Sequence, residues 1–240
     1  MSDKARLAQE IAMATRLLVQ EEIVDYSGHI SSRIPGSPNI LIQTATHSRA
    51  ELAPDHILVV DPEGNVVEGE GKAPLEVVLH TEILRARPEV NAVLHSHPEK
   101  AIAFTMMKDT PLSIMRARAF VFASGIPTHS DPRLIRRVEQ GRALAKTLGV
   151  HNAALIRAHG IVMAAESVPA LFVDAVHFKE NLDINMLVLQ AGREPAPLTE
   201  EEIAGIDSPR EFHIDKLWNY YVRRGMAAGL IPPEWNLNLS

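Results

Sequence analysis

Hydrophobic and polar residues recur with two different periods along the chain, and these periods predict helices interleaved with short strands. Leu7, Ile11, Ala14 and Leu18 are spaced as on one face of a helix, which predicts an amphipathic helix over residues 4–21. The other predicted helices cover residues 74–86, 99–107, 131–148, 167–190 and 215–228. Extended segments are predicted at residues 39–43, 57–61, 66–68, 91–96, 152–157 and 160–164, and residues 119–129 are predicted as strand and loop.

Turn and cap residues set the boundaries of these elements. Pro74 suits a first helical turn because its missing N–H has no partner there, and Asp131 is predicted to be the N-cap of the helix that Gly149 ends. Residues 25–29 are predicted to form a turn. Strands that alternate with long helices favour the α/β class, with a mixed sheet covered by helices.

Composition and charge exclude several classes of function. The 240 residues include no cysteine, which excludes disulfides, thiolate metal sites and thiol nucleophiles. The net charge of −6, from 24 basic and 30 acidic residues, argues against a nucleic-acid partner. No apolar run approaches the ~20 residues that span a bilayer, and the N-terminus lacks a signal-peptide pattern, so we expect a cytoplasmic protein with no membrane partner. Any metal ion must be held by histidine and carboxylate.

Three of the eleven histidines stand where they can form a metal site. Alternate residues of a strand point the same way, so His95 and His97 can converge on one ion, although they can also be two half-exposed surface histidines. His159, followed by Gly160, ends a predicted strand, and three neutral imidazoles would leave coordination positions open for a substrate. Alternatively, the His159 ring hydrogen bonds a backbone carbonyl.

Glu76 and His80 lie one turn apart on the second predicted helix. A carboxylate at a helix N-terminus is favoured by the helix dipole, so Glu76 has either this structural role or that of a proton carrier facing the metal. His80 is interpreted as a residue at the edge of the core with a backbone carbonyl as its partner.

Taken together, these residues resemble the class II aldolase/adducin family over about residues 5–190. The resemblance rests on Ser-Gly-His-Ile-Ser-Ser-Arg at residues 27–33, Glu76, His95-x-His97 and His159-Gly160, in this order. It implies a three-layer α/β/α sandwich with a central, mainly antiparallel sheet. It also implies a catalytic domain over residues 1–194, and an extension over residues 195–240 that packs on this domain or on a neighbouring subunit. Members are typically homotetramers with active sites between subunits. By this resemblance His95, His97 and His159 bind the metal, and Glu76 is the acid–base.

The sequence departs from the sugar-phosphate aldolases of this family where those enzymes hold phosphate. Their Asn, Thr-Gly and Ser-Ser are replaced here by His29, Ala45-Thr46 and Pro74-Leu75. Each missing donor costs a bound phosphate roughly 1–3 kcal/mol, so we predict that the substrate is not a sugar phosphate.

A second departure concerns the proton donor of the aldolases. Arg116 aligns with their tyrosine, and an arginine is a poor proton donor but a good carboxylate ligand. The alternative for Arg116 and Arg118 is an interface ion pair. The Gly-His-Ile-Ser start resembles the family's decarboxylases of dihydroxyphthalate and hydroxymethylpyridine-dicarboxylate. The predicted catalytic residues are Glu76, His29 and Arg116, and the predicted substrate-binding residues are Arg118, Thr46 and Ser31.

The resulting prediction is a metal-dependent, non-oxidative decarboxylase of a hydroxylated aromatic or heteroaromatic carboxylic acid. One divalent ion per subunit, Zn²⁺ or Mn²⁺ with Fe²⁺ or Co²⁺ as alternatives, would polarise a substrate oxygen that takes up the charge left by CO₂. Glu76, with its pKa raised by burial, would donate a proton to the ring carbon. The alternatives are a retro-aldolase of an unphosphorylated hydroxy-keto acid and, as adducins illustrate, a metal-free scaffold.

Overall fold

A single eight-stranded sheet forms the centre of the computed structural model, which describes residues 2–235. The strand order is β4-β3-β2-β1-β5-β8-β7-β6, and each neighbouring pair is antiparallel except β6 and β7. The strands are β1 (His29–Arg33), β2 (Ile40–Gln43), β3 (Ile57–Val60), β4 (Val66–Glu68), β5 (Ala92–Ser96), β6 (Thr128–His129), β7 (Ala153–Ile156) and β8 (Gly160–Ala165).

Helices cover both faces of this sheet, and each face has its own hydrophobic core. The helices are α1 (Asp3–Gln20), α2 (Val77–Ala86), α3 (Glu99–Thr105), α4 (Val138–Leu148), α5 (Val168–Gln190), α6 (Glu200–Ala204) and α7 (Arg210–Ala227). One core joins α1, α3, α5 and α7 to one face, and the other joins α2 and α4 to the opposite face. The predicted three-layer α/β/α sandwich with a mainly antiparallel sheet is confirmed.

Strand β1 was not predicted, although it is central in the sheet. Its sequence His-Ile-Ser-Ser-Arg is mostly polar, yet the first four residues are buried between β2 and β5. Tertiary partners satisfy this polarity, because the hydroxyl of Ser31 lies 2.7 Å from Nδ1 of His80. A pattern of alternating hydrophobic residues cannot reveal a strand whose polar side chains find their partners on a distant helix.

Three helices begin elsewhere than predicted. Helix α2 starts at Val77 rather than near Pro74, after a turn in which the Val77 N–H donates to the Pro74 carbonyl. Helix α4 starts at Val138 rather than at Asp131, because the Asp131 carboxylate accepts a hydrogen bond from the backbone N–H of Arg133 and closes a local turn instead of capping the helix. The predicted start of α7 was five residues too late. Residues 117–122 form a 3₁₀ helix where strand and loop were predicted.

The C-terminal segment contacts the rest of the same chain. Helix α7 packs on α5 and α1, and its Trp218 lies edge-on to Phe172 of α5 with ring centroids 5.5 Å apart. The division into residues 1–194 and an extension from 195 stays a prediction, and residues 236–240 lie outside the described part of the chain. Among residues 2–235, no helix combines the length and the apolar character needed to cross a bilayer.

Candidate metal centre

Strand β5 and the β7–β8 hairpin bring three distant histidines together. His95 lies on β5, His97 follows the end of this strand, and His159 lies in the turn just before β8. Gly160 makes this approach possible, because a Cβ atom there would lie 2.2 Å from the carbonyl oxygen of Ser96. The glycine after His159 therefore lets the turn press against the end of β5.

The side chains of these histidines and of Glu76 converge. One ligand atom from each of His95, His97, His159 and Glu76 lies within 4.8 Å of the others. The Nε2 atoms of His95 and His97 are 3.1 Å apart, and Nε2 of His95 is 3.4 Å from Oε2 of Glu76. Nε2 of His159 is 3.6 Å from Oε1 of Glu76. Three imidazoles and one carboxylate therefore surround a single point.

Hydrogen bonds on the far side of two rings fix which nitrogen carries the proton. Nδ1 of His95 donates to the carbonyl of Ile161 at 2.8 Å, and Nδ1 of His97 donates to the carboxylate of Asp25 at 3.2 Å. Burial lowers the pKa of His95, so its ring is neutral and its Nε2 carries a lone pair. Such contacts from a carbonyl or carboxylate are the usual way to orient histidine ligands.

A divalent cation fits this donor set. When both rings are neutral, their protons lie on Nδ1, and the Nε2 lone pairs of His95 and His97 face each other. Both ring nitrogens of buried His159 lack a hydrogen-bond partner among the described residues. A cation would attract these lone pairs and the Glu76 carboxylate, and imidazole with carboxylate suits zinc, manganese, iron or cobalt.

Glu76 lies at the N-cap position of α2, but its side chain points to the centre and makes no capping hydrogen bond. Its Oε1 accepts a hydrogen bond from the backbone N–H of Ile135 at 2.7 Å, from the loop before α4. Burial raises the pKa of Glu76, but contacts with His159, His95 and Ile135 outweigh burial, and the net pKa lies well below its ordinary value. The predicted raised pKa is therefore wrong for the chain without a metal, where the hydrogen bond from the Ile135 N–H stabilises the carboxylate.

His29 lies beside the metal centre at the start of β1, in register with His95 on β5. Its Nδ1 is 2.6 Å from Nε2 of His80, whose Nδ1 is 2.7 Å from the Ser31 hydroxyl. His80 is fully buried, and its partners are a histidine and a serine rather than the expected backbone carbonyl. The Ser31–His80 pair thus holds the ring of His29 in place from behind.

An open cavity of about 470 Å³ leads to these residues. Its polar lining includes Asp25, His29, Glu76, His97 and His159, and its apolar lining includes Tyr26, Ala45, Pro74, Leu75 and Leu134. Two arginines, Arg49 and Arg136, complete the walls. A space of this size accommodates a ligand of one substituted ring.

Comparison with known proteins identifies the family to which this arrangement belongs. The model of the class II aldolase and adducin N-terminal domain matches residues 9–186. The chain belongs to the class II aldolase/adducin family. It is 30% identical over 234 residues to a 3,4-dihydroxyphthalate decarboxylase of Arthrobacter keyseri, covering 92% of this chain and 94% of that protein.

Two further comparisons mark the breadth of the class II aldolase/adducin family. A methylthioribulose-1-phosphate dehydratase of Methylococcus capsulatus is 29% identical over 175 residues, which is 67% of this chain and 83% of the dehydratase. An aldolase II superfamily protein from Pseudomonas syringae superposes with a TM-score of 0.82 at 22% identity over 96% of both chains. Decarboxylases, dehydratases and aldolases are all lyases, and this class II aldolase homologue is a lyase.

Four residues predicted to act on the substrate do not line this cavity. Ser31 is fully buried behind it, where its hydroxyl contacts His80. Arg116 forms an ion pair with Glu180 of α5, and Arg118 lines a small crevice beside α7. Thr46 lines a neighbouring cavity that shares Tyr26 and Arg49 with the first. This Arg116 ion pair lies within the chain, so the substrate contact of Arg116 or Arg118 and the alternative of an interface ion pair both stay predictions.

Sequence analysis did not identify Asp25, Arg49 and Arg136 as site residues of this class II aldolase homologue. Asp25 had a local signal, since it opens the turn before the Gly-His-Ile-Ser motif and its Oδ1 accepts the backbone N–H of Gly28 at 2.8 Å. Arg49 and Arg136 had none, because only the packing of loops around α2 places them in the cavity wall.

Proposed function

We propose that the chain is a metal-dependent, non-oxidative decarboxylase of a hydroxylated aromatic or heteroaromatic carboxylic acid. The observation that carries this proposal is the cavity, where three histidines and Glu76 converge at the base beneath apolar walls and two arginines. Pro74 and Leu75 in the wall offer a phosphate neither a hydroxyl nor, at Pro74, an N–H. The similarity to dihydroxyphthalate decarboxylases supports the same substrate class.

A divalent ion at His95, His97 and His159, with Zn²⁺ or Mn²⁺ as the first candidates, would supply Lewis-acid polarisation of substrate oxygens. The chain's own residues account for orientation and proton transfer. The apolar side chains of Leu75 and Leu134 offer contact to the face of a ring.

The depressed pKa of Glu76 assigns it two successive steps. As a carboxylate it takes the proton of a substrate hydroxyl next to the scissile bond. Glu76 then returns this proton to the ring carbon that bears the carboxylate, which gives a keto form with a tetrahedral carbon. The carbon–carbon bond breaks, CO₂ leaves, and its electron pair passes through the ring to the oxygen, so that hydrogen replaces the carboxyl group, the ring is aromatic again and Glu76 is again a carboxylate.

His29 complements Glu76 from the other side of the metal centre. Its Nδ1 is engaged with His80, so Nε2 is the atom left for the substrate. Burial, together with the neighbouring His80 and His95, lowers the pKa of His29 well below its ordinary value, so the ring is neutral. We assign His29 a hydrogen bond to a ring hydroxyl or to the leaving carboxylate.

The test measures which product is released. Protein loaded with one equivalent of Mn²⁺ or Zn²⁺ is mixed with 3,4-dihydroxyphthalate and other dihydroxy-dicarboxylates, and CO₂ is followed. In parallel, unphosphorylated hydroxy-keto acids are assayed for aldehyde release, since the same ligands and Glu76 would serve a retro-aldol lyase. Metal-dependent CO₂ release supports the proposal, and aldehyde release without CO₂ replaces it with the retro-aldolase.

We also propose a homotetramer with active sites between subunits. Tyr26, Leu75 and Leu134 at the cavity mouth are apolar and exposed in the single chain, with 89% of Tyr26 accessible. A neighbouring subunit over this mouth would bury them and enclose the substrate. Light scattering is expected to give about 106 kDa, four times the chain mass of 26.4 kDa, and a monomer would contradict the assembly.

A further inference from the structure

Arg49 is a buried cation without an acidic partner in contact. Only 3% of its surface is exposed, yet no carboxylate oxygen of residues 2–235 lies within ion-pair distance. Its Nε donates to the carbonyl of Gly28 at 2.7 Å, and its Nη1 donates to the carbonyls of Thr44 at 2.9 Å and His47 at 2.8 Å. These bonds fix the guanidinium plane, but carbonyl dipoles do not neutralise its charge.

The remaining edge of this guanidinium is free to bind a ligand. Nη2 makes no hydrogen bond with any residue from 2 to 235, and Arg49 lines both the catalytic cavity and the adjoining one. The nearest acidic residue in the same wall is Asp25, whose carboxylate is already engaged by His97, Ser27 and Gly28. A buried charge is costly unless something compensates it, and an anionic ligand would do so.

Arg33 is the matched comparison for Arg49. It also braces the fold through backbone carbonyls, with Nη2 donating to Leu84 at 2.7 Å and to Val90 at 3.2 Å. It does not line the catalytic cavity. Both arginines thus brace loops, and what distinguishes Arg49 is that it lines the cavity of the candidate metal centre, whereas Arg33 lines a separate cavity.

Arg136 supplies a second positive charge at the mouth of the same cavity. Its side chain is exposed and makes no ion pair or hydrogen bond within the described residues, while the adjacent Ile135 N–H binds Glu76. An exposed, mobile cation attracts an anion, but it fixes its position poorly.

We propose that Arg49, through Nη2, binds the carboxylate that stays on the ring when CO₂ is lost, and that Arg136 assists entry of the anion. The inference rests on the proposed function and adds the substrate's second acidic group, which makes the preferred substrates dicarboxylates. A planar guanidinium matches a planar carboxylate, and a charge-assisted bond in a dry site is strong and directional.

The experiment compares two probes that differ only in this carboxylate. Binding of 3,4-dihydroxybenzoate and of catechol to the metal-loaded protein is measured by calorimetry. The Kd of catechol divided by the Kd of 3,4-dihydroxybenzoate is the ratio that reports carboxylate selectivity. We expect Arg49→Gln to lower this ratio by about 10–100-fold, because a hydrogen bond to a charged group is lost. Arg136→Gln should lower it by less than about tenfold, with an effect that shrinks at high salt.

Arg33→Lys is the control, and it should leave the ratio unchanged. If Arg49 only braces its loop, Arg49→Gln will weaken both probes alike, and the unchanged ratio overturns the proposal. Should Arg49→Gln fail to fold, Arg49→Lys keeps the charge but not the planar fork and should show an intermediate ratio. On the wild-type protein, 3,4-dihydroxybenzamide should bind like catechol, and binding like the benzoate would also overturn it.

These readouts require no turnover, so the two proposals fail separately. Carboxylate selectivity that depends on Arg49, without CO₂ release from any dicarboxylate, leaves the anion site standing and removes the decarboxylase. Absence of binding of both probes to the wild-type protein contradicts the anion site itself.

Discussion

Two pairs of histidines in this molecule have nearly the same contact and very different surroundings. In the metal centre, Nε2 of His95 lies 3.1 Å from Nε2 of His97, and between α5 and α7 Nε2 of His177 lies 3.0 Å from Nε2 of His213. In the second pair, Nδ1 of His177 is committed to Glu180, whereas no hydrogen bond of Nδ1 of His213 is found in the described residues. One hydrogen shared between the two Nε2 atoms satisfies that pair.

In the candidate metal centre, two neutral rings have no such hydrogen to share. Both Nδ1 atoms donate to fixed acceptors, and two more ligands, His159 and Glu76, face the same point. Around His213 the neighbouring charges include Arg118, Lys216 and Arg210, which together with burial lower its pKa and would repel a cation. A short contact between two histidines is therefore not what distinguishes the candidate metal centre; Nδ1 atoms bonded to fixed acceptors and convergent side chains are.

The largest expected effect is loss of metal on changing one ligand of the first pair. His97→Asn should abolish stoichiometric binding of Zn²⁺ or Mn²⁺, because two imidazoles and one carboxylate remain. His213→Asn, which disrupts the second pair, should keep the metal. Elemental analysis after dialysis measures the metal content of both variants. Metal retained by His97→Asn would contradict the proposed difference between the two pairs.

The next effect concerns turnover rather than binding. Glu76→Gln should lower kcat by about 10²–10⁴-fold, since the amide cannot carry the proton between hydroxyl and ring carbon. Glu180→Gln removes the carboxylate of the second cluster and should leave kcat within about twofold. Steady-state CO₂ release measures both, and an active Glu76→Gln would exclude the proton-carrier role.

A smaller effect is expected from the residue that orients His97. Asp25→Asn should weaken the metal about 10–100-fold, because the amide no longer holds the Nδ1 proton as firmly. Competition with a chromophoric chelator gives the affinity. Tyr26→Phe, which changes an exposed neighbour in the same turn, is the control, and equal losses in the two variants would point to the turn and not to the carboxylate.

The smallest effect is on stability against acid. Burial, with a further contribution from His95, lowers the pKa of His80 to about 3, against ~6.5 in an unfolded chain. Below pH 6.5 the unfolded state therefore binds a proton that the native state excludes, and stability falls as the pH drops toward 3.

His80→Gln removes the side chain that takes up this proton in the unfolded state. In the presence of chelator, the slope of unfolding free energy against pH between 5.5 and 4 should decrease by about 1.4 kcal/mol per pH unit. Ser31→Ala keeps the titrating ring and should keep the slope. Urea titrations at several pH values give the slopes, and an unchanged slope for His80→Gln would mean that His80 is protonated in the native state.

Local sequence predicted much of the scaffold and part of the site. Residues 4–21 carry a helical repeat of apolar side chains, and helix α1 covers Asp3–Gln20. The spacing of His95 and His97 indicated chelation because both residues belong to one extended segment. Strand β1 escaped prediction because its polar residues are satisfied by side chains far along the chain, which no local pattern records.

The arginines show most clearly which features of the site local sequence does not predict. Arg116 and Arg118 were chosen by alignment across a stretch without a motif, and in the single chain they lie near α5 and α7, away from the cavity. Arg49 and Arg136 entered the site instead. Which arginine contacts a substrate depends on how loops pack over the edge of the sheet. This packing involves residues that are far apart in the sequence.

The sequence by itself determined the α/β class, the absence of thiol chemistry and the kinds of atoms available to hold a metal, because these follow from composition and from periods of two and 3.6 residues. Only the tertiary structure decided that the pKa of Glu76 is lowered, that His29 is backed by His80 and that Arg49 faces the cavity. Ionisation and orientation depend on burial and on partners contributed by several strands and loops at once, so they exist only when the chain is folded.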